Sequence, residues 1–209
     1  MAADGRLGAA VLRTLGRLAQ GYGLAALAGV PLGVALARSG TVRAAIRPLV
    51  LGLQALPSIC WLPLAMLWFG LSEAAITFVV VMGAVLAIAI ATEDAILGID
   101  PVLLRAAGTL GVRGPRLHAG VLLPAALPGV LTGLKLGWSF AWRALMAGEL
   151  LFVAGGLGQL LAMGRELLDP AQVLAVMAVI VAIGIAVDRV LFRALETRVR
   201  ERWGLGAAA

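Results

Sequence analysis

Reactive side chains are scarce in this 209-residue chain. It has one cysteine (Cys60), one histidine (His118) and a single lysine (Lys135). One cysteine excludes a disulfide framework, and a lone Cys with a lone His leaves no cluster to hold a metal. Its serines are Ser39, Ser58, Ser72 and Ser139. None of them lies in a Gly-x-Ser-x-Gly turn, so a membrane enzyme would find little nucleophile chemistry here. A phosphate-binding loop, Gly-x4-Gly-Lys-[Ser/Thr], is missing as well, because Lys135 stands between Leu134 and Leu136. The chain therefore cannot grip ATP in that way, and it suggests no cofactor. Charge is scarce too: 13% of residues, against about 25% in ordinary soluble domains.

What replaces these residues is apolar. Hydrophobic residues make up 62% of the chain, with 27 glycines besides, and the mean hydropathy is +1.03. A soluble domain of this size has too little interior to hide that much apolar surface, so the chain belongs in a bilayer. The N-terminal stretch does not read as a signal peptide, since Arg6, Arg13 and Arg17 interrupt its apolar residues. Those arginines fall on one stripe, with Leu7, Val11, Leu15 and Leu18 roughly opposite. Residues 1–20 are therefore expected to form a basic amphipathic helix at a membrane interface.

Crossing about 30 Å of hydrocarbon takes about 20 mostly apolar residues. Five stretches qualify: Gly21 to Ala37 with its flanks, Pro48 to Phe69, Ala74 to Leu97, Leu122 to about Leu145, and Val173 to about Leu191. Leu150 to Leu161 is short and glycine-rich, and reads as re-entrant or interfacial. Small residues recur every four positions at Gly21/Ala25/Gly29/Gly33/Ala37, at Gly129/Gly133/Gly137/Ala141 and at Ala178/Ala182/Ala186. Such stripes let helix backbones approach closely in lipid, where no hydrophobic drive pulls helices together. Pro31, Pro57 and Pro63 should interrupt helical hydrogen bonding, which is tolerated at membrane depth where protein or a water-filled path satisfies the backbone.

The 17 basic and 11 acidic residues are best read as topology markers, with no nucleic acid implied. No Lys or Arg occurs between Arg47 and Arg105. If the 98–121 loop is cytoplasmic, Arg38, Arg43, Arg47, Arg105, Arg113, Arg116 and the arginines of the tail all lie inside. Arg6, Arg13, Arg17 and Arg165 lie outside. The positive-inside bias favours this orientation, with an outside N-terminus and a cytoplasmic C-terminus.

The 98–121 loop is the most informative stretch. Asp100-Pro101 combines a capping side chain with proline at the first helical position. Leu103, Leu104, Ala107 and Leu110 give one apolar face, and Gly111 stops the helix. Such a face needs cover: either a partner protein or the lipid surface.

Here the sequence resembles a known family. Ala106-Ala107, three residues, Gly111, nine residues, then Val121-x-Leu123-Pro124 is similar to the signature loop of ABC-importer permeases, Glu-Ala-Ala-x3-Gly-x9-Ile-x-Leu-Pro. The blocks Ala55 to Gly70, Pro124 to Gly137 and Gly156-Leu-Gly158 look like the nitrate/sulfonate/taurine branch. The resemblance runs from about residue 10 to Trp203. Arg105 departs from it, standing where the family usually has glutamate. Many relatives also have one more N-terminal span.

The resemblance implies an all-α membrane protein with the five-span type I ABC importer transmembrane-domain fold and a cytoplasmic coupling helix. That domain would cover residues 21–195, followed by a cytoplasmic tail, 196–209. It also implies a bacterial inner-membrane permease that pairs with a second permease subunit, two cytoplasmic ABC ATPases and an extracytoplasmic substrate-binding protein, passing a small solute of the nitrate, sulfonate or taurine kind. Leu104, Arg105, Ala106, Ala107, Gly111, Leu123 and Pro124 would then make the ATPase coupling site. An ATP-independent transporter or channel is the alternative; it would call for an internal repeat, and none is evident.

Charges inside a bilayer are costly, so each is a functional candidate with a partner to be named. Lys135 shares a face with Trp138 and Trp142, where it either attracts an anion along a path walled by the indoles or forms a structural pair with Glu149 or Asp188. Glu149, at the end of its span, suits a gate or a structural hydrogen bond equally. Glu93 and Asp94 read as an interfacial cap or as partners for nearby arginines. Arg143 and Arg165 read as snorkelling anchors, and Trp61, Trp68 and Trp203 as interface aromatics.

Overall fold

A computed structural model describes residues 5–112, 114–152 and 155–202. Arg113, Trp203 and the rest of the tail beyond Arg202 lie outside the described residues. The helices are α1 (Arg6–Arg38), α2 (Gly40–Gln54), α3 (Leu62–Phe69), α4 (Glu73–Leu97), α5 (Pro101–Thr109), α6 (Pro115–Leu117), α7 (Leu123–Leu151), α8 (Leu157–Glu166), α9 (Pro170–Val187) and α10 (Arg193–Arg202). A 3-10 turn, Ser58–Trp61, precedes α3, and π-helical turns, His118–Leu122 and Asp188–Phe192, precede α7 and α10. No strand occurs among the described residues. Four helices are long and apolar enough to cross a membrane, Arg6–Arg38, Glu73–Leu97, Gly120–Leu151 and Pro170–Val199. The bent pair α2–α3 makes a fifth span when counted as one.

Helix α4 is the axis of the bundle, nearly continuous in burial from Ala84 to Ala89. Two of the small-residue stripes clasp it. On one side α1 runs parallel to α4: a methyl added at Gly21 would meet Val80, one at Gly29 would lie 2.8 Å from the Val85 carbonyl oxygen, and one at Gly33 would overlap Ala89 and Thr92. On the other side α7 runs antiparallel, with Gly129 against Ala95, Gly133 against Ala91 and Gly137 against Ile88. Close backbone approach maximises dispersion contact, which holds helices together where lipid tails are as apolar as the side chains. The third stripe behaves differently: Ala178, Ala182 and Ala186 on α9 are exposed.

Three boundaries differ from the sequence reading. Residues 6–38 form one unbroken helix, so the expected amphipathic helix of residues 1–20 continues into the first span without a joint. Pro31 lies inside α1 without breaking it, and Pro63 sits harmlessly in the first turn of α3, where its missing N–H is no loss. Pro57 is where the break falls. The stretch expected to be one span, 48–69, is two helices bent by 100° at residues 55–57. The chain then returns along α4, with Trp61, Trp68 and Phe69 packed on Phe78.

Candidate coupling and translocation sites

Helix α5 is built by local signals at both ends. The Asp100 carboxylate accepts the Val102 N–H at 2.7 Å, and Pro101 occupies the first turn. At the other end Gly111 adopts φ +74°. The Val112 N–H reaches the Ala107 carbonyl at 3.0 Å while the Gly111 N–H reaches that of Gly108 at 3.1 Å. This pair of bonds is the Schellman closure, which needs a left-handed residue and favours glycine there. Ala107 is buried and seats the helix. Val102, Leu103, Leu104 and Leu110 are exposed, Leu110 by 81%. Arg105 and Ala106 are exposed as well. Leu123 is exposed and Pro124 half-buried at the start of α7. The helix is thus capped at both ends, with its leucines exposed.

The path candidates separate into two places. Lys135 lies 2.8 Å from Asp188 and 3.9 Å from Glu196, so of the two partners open to it in the sequence the structure selects Asp188. The π-helical turn that begins at Asp188 lies where α9 passes this face. Trp138 stacks on Trp142 with ring centroids 6.3 Å apart, and meets Tyr22 edge-on at 5.6 Å. The Tyr22 hydroxyl donates to the Leu134 carbonyl. Together Lys135, Trp138, Trp142, Arg143, Asp188 and Arg189 line a cavity of about 630 Å³.

Glu149 belongs elsewhere. It is wholly buried and joins four helices. The Thr14 hydroxyl lies 2.9 and 3.0 Å from its two oxygens, the Arg17 guanidinium donates to it at 2.8 Å, and the Gly158 N–H donates at 3.0 Å. Thr14 also accepts the Leu157 N–H at 2.9 Å. Arg17 completes the knot with two bonds to Glu73, 2.6 and 2.5 Å long. Gly156-Leu-Gly158 is small for a reason: a methyl at either glycine would run into Glu149. The N-terminus of α8, with its free N–H groups, thereby meets the carboxylate.

The reading of Arg17 as one of an interfacial stripe is overturned by its burial in this knot. Thr14, Arg17 and Glu73 were not singled out as partners of Glu149. At the other end of α4, Arg47 holds Glu93 at 3.3 Å and Asp94 at 3.0 Å. Arg165 is exposed and lies 4.0 Å from its neighbour Glu166.

Among the described residues no group of His, Cys, Asp and Glu could hold a metal ion. The geometry offers an exposed capped helix at one end of the bundle, a buried polar knot at the other, and a polar, aromatic-walled face between them.

Residues 29–201 match the family described as binding-protein-dependent transport system inner membrane component. A Methanocaldococcus jannaschii protein is 35% identical over 174 residues, covering 83% of this chain and 65% of that protein. The taurine transport system permease protein TauC of Escherichia coli is 34% identical over 174 residues, 83% of this chain and 63% of its own length. The chain therefore spans just under two thirds of these relatives. The nitrate import permease protein NrtB of Synechocystis is 29% identical over 74% of this chain and 56% of its own. An inward-facing structure of the MetNI methionine ABC transporter has the same fold, with a TM-score of 0.76 and 23% identity over 96% of this chain and 97% of that one.

Proposed function

The chain belongs to the family of inner membrane components of binding-protein-dependent transport systems, and from that premise we propose that it is the permease subunit of an ATP-driven importer for a small anionic solute. The observation that carries this is α5, a helix capped at both ends whose leucines are exposed. A separate ATPase that grips α5 would move it as one body. The movement would pass into the bundle through Ala107 and the 98–121 loop.

The arginines support an orientation with α5 in the cytoplasm. Arg38, Arg47 and Arg105 follow from chain order at the end of the bundle where α1 and α4 terminate, and Arg6 and Arg13 lie at the opposite end. The C-terminus is then cytoplasmic, as is the tail from 196 onward. One chain presents one handle, so an engine of two ATPases calls for two copies of this chain, and delivery of solute falls to an extracytoplasmic binding protein. Relatives named for taurine and nitrate transport, and the cationic lining near Lys135 and Arg143, support a nitrate-, sulfonate- or taurine-like solute.

The test is purification of the tagged full chain in mild detergent with identification of what accompanies it. An ATPase with a phosphate-binding loop should co-purify. Leu104→Asp places a charge on the docking face and should abolish co-purification while the permease stays at its normal level in the membrane. Retention of the ATPase by that variant would refute the docking role.

A further inference from the structure

We propose that the cavity under the α2–α3 break is the waypoint of the solute within the membrane, with Arg143 binding its anionic head and Ser58 and Gln54 as neutral contacts. This assignment rests on the importer function above and adds a site to it. It also replaces the reading of Arg143 as a snorkelling anchor.

Unwound backbone at membrane depth survives only where protein buries it or where it lines a water-filled space. Here residues 55–57 lie between two helices bent by 100°, and they line a cavity of about 410 Å³ together with Gln54, Ser58 and Arg143. That volume suits a small-molecule site. The break lies deep. Ser58 faces Gly83, ten residues into α4 from Glu73, which is about 15 Å along the helix. A methyl at Gly83 would sit 2.8 Å from the Ala144 Cβ and 3.3 Å from the Ser58 Oγ, so the glycine keeps the hydroxyl at this depth beside α7. The Gln54 Oε1 is buried with no hydrogen-bond partner, an acceptor left over by the protein itself.

Arg143 supplies the charge. Three other cations are neutralised: Arg17 by Glu73 and Glu149, Arg47 by Glu93 and Asp94, Lys135 by Asp188 and Glu196. Arg143 lies eight residues before the end of α7, about 12 Å in, and among the described residues no carboxylate lies within 4 Å of it. Its Nε donates to the Ser139 carbonyl at 3.1 Å and its guanidinium lies 4.6 Å over the Phe140 ring. These contacts fix the plane of the group and leave its two terminal nitrogens for a bidentate oxoanion. Arg143 also lines the neighbouring cavity of Lys135 and the tryptophans, so it stands at the junction of the two.

The field of Arg143 can be read without any partner protein. In membranes carrying the full chain with Cys60→Ala and Ser58→Cys, the thiol is reacted with the anionic 2-sulfonatoethyl and the cationic 2-(trimethylammonium)ethyl methanethiosulfonates. The sulfonate reagent should react faster, and Arg143→Gln should lower the anion-to-cation rate ratio by about tenfold, the scale of one charge at close range in a semi-polar cavity. Should Arg143→Gln fail to accumulate, Arg143→His is read instead, and the ratio should rise as the pH falls below about 6.5. A thiol at 58 that ignores both reagents, or a ratio indifferent to the charge at 143, overturns the site. Failure of the wild-type chain to co-purify with an ATPase would instead strike the importer function and leave this ratio standing, so the two failures are distinguishable.

Discussion

Glu149 and Lys135 stand on the same helix, four turns apart, and both are ionisable groups of a membrane span, yet their surroundings are opposite. Glu149 is sealed: it is fully buried, and its oxygens are served by Thr14, Arg17 and the Gly158 N–H. Lys135 is open: it bridges to Asp188 across a cavity, with about a third of its side chain exposed. Helix packing decides the difference. Glu149 is surrounded by four elements brought close by Gly156 and Gly158, whereas Lys135 faces α9, whose own surface is mostly bare. A charge enclosed on all sides can only hold structure together. A charge beside a cavity can exchange its partner.

Breaking the sealed site should have the largest effect. Glu149→Ala leaves Arg17 buried with only Glu73, and should cost about 3–5 kcal/mol, as loss of one member of a buried pair does. Thermal unfolding in detergent would show it as a marked fall in Tm, and an unchanged Tm would mean the knot is ornamental. Thr14→Val is the finer probe of the same place. It removes the hydroxyl shared by Glu149 and the Leu157 N–H, and should cost about 1–3 kcal/mol, the desolvation cost of buried groups left unpaired.

On the open side the stability effect should be smallest. Lys135→Gln breaks a half-exposed pair of the kind worth about 0–1 kcal/mol, so Tm should hardly move. On the proposed function, uptake of labelled taurine or nitrate should nevertheless fall. A large loss of Tm without loss of uptake would reverse the comparison, placing Lys135 with the structural charges.

Most of the spans were legible because their information is local. Apolar length, a proline after an aspartate, and glycine at the end of α5 each act within a turn or two, and the small-residue stripes on α1 and α7 mark surfaces that any close neighbour would use. What escaped was the pairing in the buried knot. Arg17 lies 132 residues from Glu149 in the chain, and nothing near either names the other. Of the three prolines expected to interrupt their helices, Pro57 alone marks a break between helices, for a related reason. Proline weakens a helix but does not break it without tertiary space to bend into, as Pro31 in an unbroken α1 shows. The same holds for α9, whose alanine stripe is as regular as the other two and yet stays exposed.

The sequence by itself determined that this chain lives in a membrane, roughly where most of its spans run, and where the short helix after Asp100 begins and stops. These follow from composition, periodicity and capping, which depend on neighbouring residues alone. Only the tertiary structure decided which charges are locked and which are free. In a bilayer that depends on which helix backs each charge, and helix partners are set by packing between segments far apart in the chain.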